Sequence, residues 1–160
     1  PASDRFRLSG GLALIDAEWD SFPTAPCYPG QTAALGCVGG FQNLSGQPVP
    51  RAPEVSGNLT AQYDFPIGSA GYRLELVGGV NYRSEQIIYF PNDPDFTQDG
   101  FAIVDAAVNL VAPDERWRAS LYGRNLGDEN FFASRLGVLF STPKLSTAYY
   151  PAYEARRIWG

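Results

Sequence analysis

The chain has no histidine and no methionine, and it contains no run of about 18 apolar residues. Without histidine, the Ser-His and Cys-His pairs of nucleophilic catalysis are excluded. A zinc site has no ligand set to draw on, because two cysteines stand alone with neither histidine nor a second pair. The missing apolar run excludes a transmembrane helix but says nothing against a barrel, whose single strands carry a weak hydropathy signal. Charge is sparse as well. Charged residues make up 18% of the chain and the net charge is -5, against a usual charged fraction of about a quarter. No basic face is available to neutralise phosphates, so nucleic acid is excluded as a partner. The Gly-Gly pairs at 10–11, 39–40 and 78–79 are not followed by Lys-Ser/Thr, so none forms a phosphate-cradling loop. Gly78 and Gly79 are read instead as easing strand curvature. No basic-then-apolar leader opens the chain; Pro1-Ala2-Ser3-Asp4 runs directly into patterned sequence. A chain that begins and ends inside patterned segments is expected to be a piece of a longer protein.

What is present is aromatic and turn-forming: aromatics are 14%, with 17 glycines and 13 prolines. This composition favours strands over helices. Trp117 to Phe131 shows the pattern most fully. Arg118, Ser120, Tyr122 and Arg124 alternate with Trp117, Ala119, Leu121 and Gly123, so a strand here has one polar face and one apolar or small face. Asn125-Leu126-Gly127-Asp128 then stops the alternation with turn formers.

The same two-faced pattern recurs along the chain. Phe6 to Trp19 sets Phe6, Leu8, Gly10, Leu12 and Leu14 on one parity, with Ile15 spoiling the other. Val55 to Phe65 sets Leu59, Ala61, Tyr63 and Phe65 against Ser56, Asn58, Thr60, Gln62 and Asp64. Tyr72 to Arg83 opposes Tyr72, Leu74, Leu76, Val80 and Tyr82 to Arg73, Glu75, Asn81 and Arg83. Phe101 to Val111 carries Val104, Ala106, Val108 and Leu110 outward and Asp105 and Asn109 inward. Ala152 to Gly160 is the sixth segment. Such polar faces describe a watery lumen rather than a packed core. The segments are also longer than the usual soluble strand of about 5–6 residues and suit a tilted membrane strand of about 9–11. Tyr72 and Tyr82, roughly 33 Å apart by strand rise, are expected to mark two interfacial aromatic girdles.

The connections alternate. Residues 21–50, 84–100 and 125–150 are long; 66–71 and 112–116 are tight turns. Long loops at one end and tight turns at the other are the layout of bacterial outer-membrane barrels. Cys27 and Cys37 fall in the first long loop. They are read as a loop-closing disulfide, which needs an oxidising compartment; two unrelated thiols are the alternative. Asn92-Asp93-Pro94-Asp95 could hold Ca²⁺, but the spacing does not match the known loop and a solvated acidic loop is preferred. Asp16 and Glu18 are read as solvated rim rather than as a glycosidase pair.

The strand ending in Asn125-Leu126-x-Asp128, followed by Phe131, resembles the penultimate strand of TonB-dependent outer-membrane receptors. Pro151, Arg156 or Arg157, Trp159 and Gly160 fit the start of that family's last strand. The resemblance implies an all-β fold: an antiparallel up-and-down meander of about six long strands, the final six of a 22-stranded transmembrane β-barrel. Residues 1–160 would be the C-terminal part of that barrel, truncated at both ends and without the plug domain. The function implied is active uptake of a scarce ligand, such as a ferric siderophore, a corrinoid or a carbohydrate, across the outer membrane of a Gram-negative bacterium. The partners implied are outer-membrane lipid, the receptor's own plug, the TonB complex through an N-terminal region, and the small-molecule ligand. No catalysis and no cofactor are implied. Arg73, Arg83, Arg118, Arg124 and Tyr122 point inward by parity and are candidates to meet ligand or plug, with cross-strand pairing to Glu75, Asp64 or Asp105 as the plainer role. Loop aromatics Tyr28, Phe41, Tyr89, Phe90, Phe96, Phe131, Phe132, Phe140, Tyr149 and Tyr150 are candidates for ligand stacking, with girdle and loop packing preferred. Two other readings compete: a passive porin-like barrel, and a soluble β-sandwich that binds carbohydrate. The sandwich requires one face of every strand to be dry.

Overall fold

The computed structural model describes residues 5–89, 91–93, 96–137, 147–151 and 157–159. Strand β1 spans Phe6–Leu14. The first long connection holds β2 (Ala25–Pro26), a 3-10 turn at Ala33–Leu35, and β3 (Phe41–Gln42). The long strands β4 (Val55–Ile67) and β5 (Tyr72–Arg83) follow. The second long connection carries β6 (Gln86–Ile87) and β7 (Thr97–Gln98). Next come β8 (Phe101–Val111) and β9 (Arg118–Arg124). The third long connection contains a hairpin of β10 (Phe132–Gly137) and β11 (Thr147–Pro151), and β12 is Arg157–Trp159.

Six strands form one sheet in the order β1-β4-β5-β8-β9-β12, with every neighbouring pair antiparallel. Apart from the hairpins folded into the long connections, consecutive strands are neighbours, which is the up-and-down meander read from the sequence. The sheet is open, with β1 and β12 at its two edges.

Register decides which residues share a face, because residues directly opposite each other in an antiparallel pair lie on the same side. Tyr63, Leu76, Val108 and Leu121 form one cross-strand row, and Leu59, Val80 and Val104 another. On the opposite face run Asp64, Glu75, Asn109 and Ser120, and beside them Gln62, Val77, Ala107 and Tyr122. A one-residue slip anywhere would exchange the two faces. The parity read along each strand therefore agrees with the parity read across all of them.

Among the described residues nothing covers the apolar face. Leu12 is 71% exposed and Leu121 53% exposed, and Leu8, Leu59, Phe65, Val104 and Val108 are exposed with them. In water, a contiguous apolar face spanning five strands would drive association. Among the described residues no second sheet packs on it, so the β-sandwich reading has no counterpart. The buried apolar side chains lie elsewhere, chiefly in the long connections, where Ala25, Tyr28, Leu44, Ile88 and Phe96 are buried.

The aromatic belt is one-sided. At the tight-turn end, Phe6 and Tyr63 pack at 6.5 Å, Tyr63 and Phe65 at 4.3 Å, and Tyr72 and Trp117 at 5.9 Å between ring centroids. At the loop end of the apolar face the register leaves Tyr82 alone among the described residues, so the expected second girdle is reduced to one ring.

The end of β1 and the character of the loops differ from expectation. β1 stops at Leu14 rather than Trp19. Ile15 still donates its N–H to Glu54 O at 2.9 Å, but beyond it the chain turns into loop contacts: Trp19 N–H reaches Gln47 O at 3.0 Å. The run Asp16, Glu18 and Asp20 favours solvent over a ladder. The long connections are also not bare loops, since each folds into a short hairpin.

Close packing of β1 on β4 is tightest at Gly10. A Cβ on Gly10 would stand 2.6 Å from Asn58 O, so the backbones approach as only glycine allows.

Candidate functional site

Three features sit on or above the polar face: a folded rim, an ion-pair cluster near the tight turns, and the buried turn after β9.

The rim joins the first and second long connections. Cys27 and Cys37 form a disulfide with Cα atoms 5.8 Å apart, as expected from sequence. Gly39 and Gly40, both at positive φ, make a two-residue turn in which Val38 and Phe41 exchange backbone hydrogen bonds at 2.8 and 3.1 Å. Gln42, 5% exposed, is the hub beneath it. Its amide donates to Pro26 O at 3.0 Å, and its Oε1 accepts from Gln31 at 3.0 Å and from Asn92 at 3.3 Å. Asn92 belongs to the second connection, so this amide ties the two loops together. Arg51 adds a second tie, from its N–H to Ile87 O at 2.7 Å and from Nε to Ile88 O at 3.2 Å. With Ile88 and Phe96 buried below, the two loops form one packed cap. Tyr28 and Phe96 are therefore packing residues, while Phe41 and Tyr89 remain exposed. Phe90, Asp95 and Phe140 lie outside the described residues.

The ion-pair cluster gathers two of the four predicted arginines. Arg73 Nη2 lies 3.2 Å from Glu75 Oε1 and 3.1 Å from Glu115 Oε1, and Arg118 Nη2 lies 3.3 Å from Glu75 Oε2. Glu75 is the buried member, with its side chain 8% exposed; both guanidinium groups are partly solvated and screened. Glu75 is the expected acid that pairs with them, but not across neighbouring strands: Arg73 is two residues away on the same strand, and Arg118 reaches Glu75 from β9 across the intervening β8. Asp64 accepts from Gln62 instead, at 3.0 Å, and Asp105 from a backbone N–H.

Arg83 and Arg124 lie at the opposite, loop end of the same face. Neither side chain makes an ion pair or a hydrogen bond among the described residues. The predicted set is thus split between two ends of the wall rather than brought together. Tyr122 sits one row below Arg124, beside a hollow of about 360 Å³ on this face that Thr60, Gly79, Asn81, Asp105, Ala107 and Arg124 also line.

The turn after β9 explains the residues that suggested a family. Asn125 is 1% exposed and sits in the left-handed region at φ 48°, which asparagine tolerates because its short amide bonds locally. Its Nδ2 donates to Glu129 O at 2.9 Å, and its Oδ1 accepts from Glu129 N–H at 2.9 Å. Its own N–H donates to Asp105 Oδ1 at 2.9 Å. Leu126 N–H bonds Val104 O at 2.8 Å, extending the ladder to β8 past the end of β9. Asp128, also at positive φ, closes the turn by donating its N–H to Asn125 O at 2.9 Å. The chain then places Phe131 on Phe101, stacked at 4.6 Å and 10°. Phe101 is an apolar residue on the polar face, and this ring is what covers it. The role of Asp105 as anchor of the turn was not read from the sequence. Its one signal is that it is the sole charged residue of β8.

Among the described residues, no nucleophile is paired with a general base. No solved structure matches the chain. The family described as TonB dependent receptor-like, beta-barrel matches residues 4–126, about three quarters of the sequence and every long strand from β1 to β9. The match runs into Asn125 and Leu126 and ends before Asp128 and Phe131. With an open, two-faced antiparallel sheet and loops gathered at one end, the chain belongs to the TonB-dependent receptor β-barrel family.

Proposed function

We propose that this chain is the C-terminal part of the barrel of a longer receptor in the outer membrane of a Gram-negative bacterium. In this reading it supplies wall and outer loops for the uptake of a scarce ligand. The family is one of outer-membrane transporters driven through TonB, not of enzymes. The finer reading is that the ligand is a ferric siderophore, a corrinoid or a carbohydrate. The ligand is captured by outer loops and plug, and passes when the TonB complex pulls on a plug carried upstream of these residues. The observation that supports it best is the single-layer sheet with an uncovered apolar face, a polar face, and folded loops at one end only. Lipid is the cover that such a face requires.

The test is uptake by cells carrying the intact receptor, measured with radiolabelled ferric chelates, cobalamin and oligosaccharides, with and without TonB. The reading expects accumulation of one class that is lost on deletion of TonB or on collapse of the proton gradient. Solute passage that survives both would identify a passive porin instead.

A further inference from the structure

The Cys27–Cys37 bridge is the first member of a run of contacts that leaves its own loop. Tyr28 and Gln31 lie inside the ring it closes, and Pro26 adjoins it. Gln31 Oε1 accepts the Tyr28 N–H at 3.0 Å, and its Nε2 donates to Leu35 O at 2.9 Å and to Gln42 Oε1 at 3.0 Å. Gln42 Nε2 donates to Pro26 O at 3.0 Å. The bridge thus places two partners of the buried Gln42 amide. A third is Asn92 of the second connection, which donates to Gln42 Oε1 at 3.3 Å from a left-handed backbone at φ 64°. The Arg51 tie runs separately. Arg51 lies outside the ring, and it bonds Ile87 O and Ile88 O beside the β6–β7 pairing rather than Asn92.

Magnitude decides which of these contacts is in control. Closing a ring over a separation of 10 residues is worth about two or three net hydrogen bonds between neutral groups. The Gln42–Asn92 bond, at 3.3 Å, is worth at most about one. Opening the ring therefore leaves Gln42 without fixed partners on its own loop, and Asn92 alone does not hold it. The bridge is also within reach. Both cysteines are half-buried between exposed neighbours, Pro26, Gly36 and Val38. Residues 21–50 carry no charge, so nothing in this loop repels an incoming thiolate. No cation of the loop stabilises the thiolates that opening produces, so the closed form returns when an oxidant is supplied.

We propose that Cys27–Cys37 is a redox lock on both outer connections. Closed, it seats Gln42 and so holds residues 91–93 against the first loop. Opened by thiol exchange, it releases them, while the wall and the Arg51 tie stay in place. One thiolate attacks an Sγ, forms a mixed disulfide and expels the other cysteine as a thiolate. A second thiol then resolves the mixed disulfide, so two external thiols are oxidised to a disulfide as both cysteines are reduced. The lock rests on the loop contacts and not on the transport reading.

The test is hydrogen exchange on the intact receptor in detergent, oxidised, reduced with dithiothreitol, and re-oxidised. Three amides report: Cys27 N–H on Gly40 O at 3.1 Å, Phe96 N–H on Asp93 O at 3.0 Å, and Arg51 N–H on Ile87 O at 2.7 Å. Reduction should speed exchange at Cys27 and at Phe96 by roughly fivefold or more, and chymotryptic cleavage after Tyr89 should speed with them. Arg51 and the amides of β4, β5 and β8 should not change, and re-oxidation should restore the start. Cys27→Ser with Cys37→Ser should match the reduced state and ignore dithiothreitol. Gln42→Leu, with the bridge closed, should release Phe96 without reductant, and reduction should then add nothing there. Faster exchange at Cys27 with Phe96 and Tyr89 unmoved would confine the bridge to its own loop and overturn the proposal. Loosening of the wall amides, or a bridge that resists dithiothreitol in the folded receptor, would overturn it too.

Discussion

Replacing Asn125 by alanine should destabilise the barrel wall more than any other single change in the turn after β9. The substitution removes two side-chain hydrogen bonds to Glu129, both at 2.9 Å, each worth about 1 kcal/mol net because Glu129 is exposed and water can partly replace them. It also leaves alanine in the left-handed region at φ 48°, which costs roughly a further 1–2 kcal/mol. The sum is about 3 kcal/mol, or on the order of a hundredfold in the unfolding equilibrium. Asn125→Asp should fall between, since aspartate keeps the acceptor and the tolerance for this backbone but loses the donor to Glu129 O. Gly127→Ala is the control. No atom lies within 4 Å of a Cβ there and its φ is not positive, so the change should stay within about 0.5 kcal/mol. Urea unfolding of the receptor in micelles, followed by tryptophan fluorescence, measures all three. Asn125→Ala staying within that same margin, or Gly127→Ala costing as much, would refute a stapling role for Asn125.

Three further outcomes follow from the geometry. Gly10→Ala should cost about 1–3 kcal/mol, because the new Cβ meets Asn58 O at 2.6 Å, whereas Gly78→Ala, with nothing within 4 Å, should be neutral in the same melts. Replacing Cys27 and Cys37 by serine should leave the sheet intact but open the loop they close to protease, with a local cost of about 2–4 kcal/mol; unchanged proteolysis between residues 27 and 42 would show that the Gln42 network alone holds the cap. A double-mutant cycle of Glu75→Gln with Arg118→Gln should give a coupling of roughly 1 kcal/mol or less, shrinking with added salt, since the Arg118 side chain is 55% exposed. A coupling well above that would mean the pair is sealed from water.

Alternation made the sheet legible. β5 and β8 begin and end at Tyr72, Arg83, Phe101 and Val111 as the pattern predicts, because each is bounded by turn formers and keeps two-residue alternation on its apolar face throughout. β4 runs on to Ile67, two residues past the expected Phe65, since Pro66 sits at a strand end where its missing N–H costs little. β1 was overextended because Ile15 looks like a strand residue, and only the ladder shows where pairing stops. The rim was the least legible part. Gln42 and Asn92 carry no sequence mark that sets them apart from other loop amides, and their bond joins residues distant in the chain. The arginines were placed on the right face, but parity does not tell which end of the strand a residue occupies relative to its partners. Asn125 was recognised by its motif, while the reason for it, a left-handed turn stapled to Glu129, needs coordinates. Pro151 is described as the last residue of β11, whereas Arg156 and Gly160 lie outside the described residues.

A barrel wall requires lipid on one face and water on the other. The two cysteines of this segment are joined, so neither competes for label when single cysteines are introduced here and spin-labelled in the receptor reconstituted into bilayers. Labels at Leu76, Val80, Val104 and Val108 should be relaxed by oxygen dissolved in the lipid and be insensitive to a water-soluble nickel chelate, while labels at Asn58, Gln62 and Asn81 should show the reverse. An alternation of the opposite phase, or accessibility to the nickel chelate on both faces, would contradict a barrel wall here.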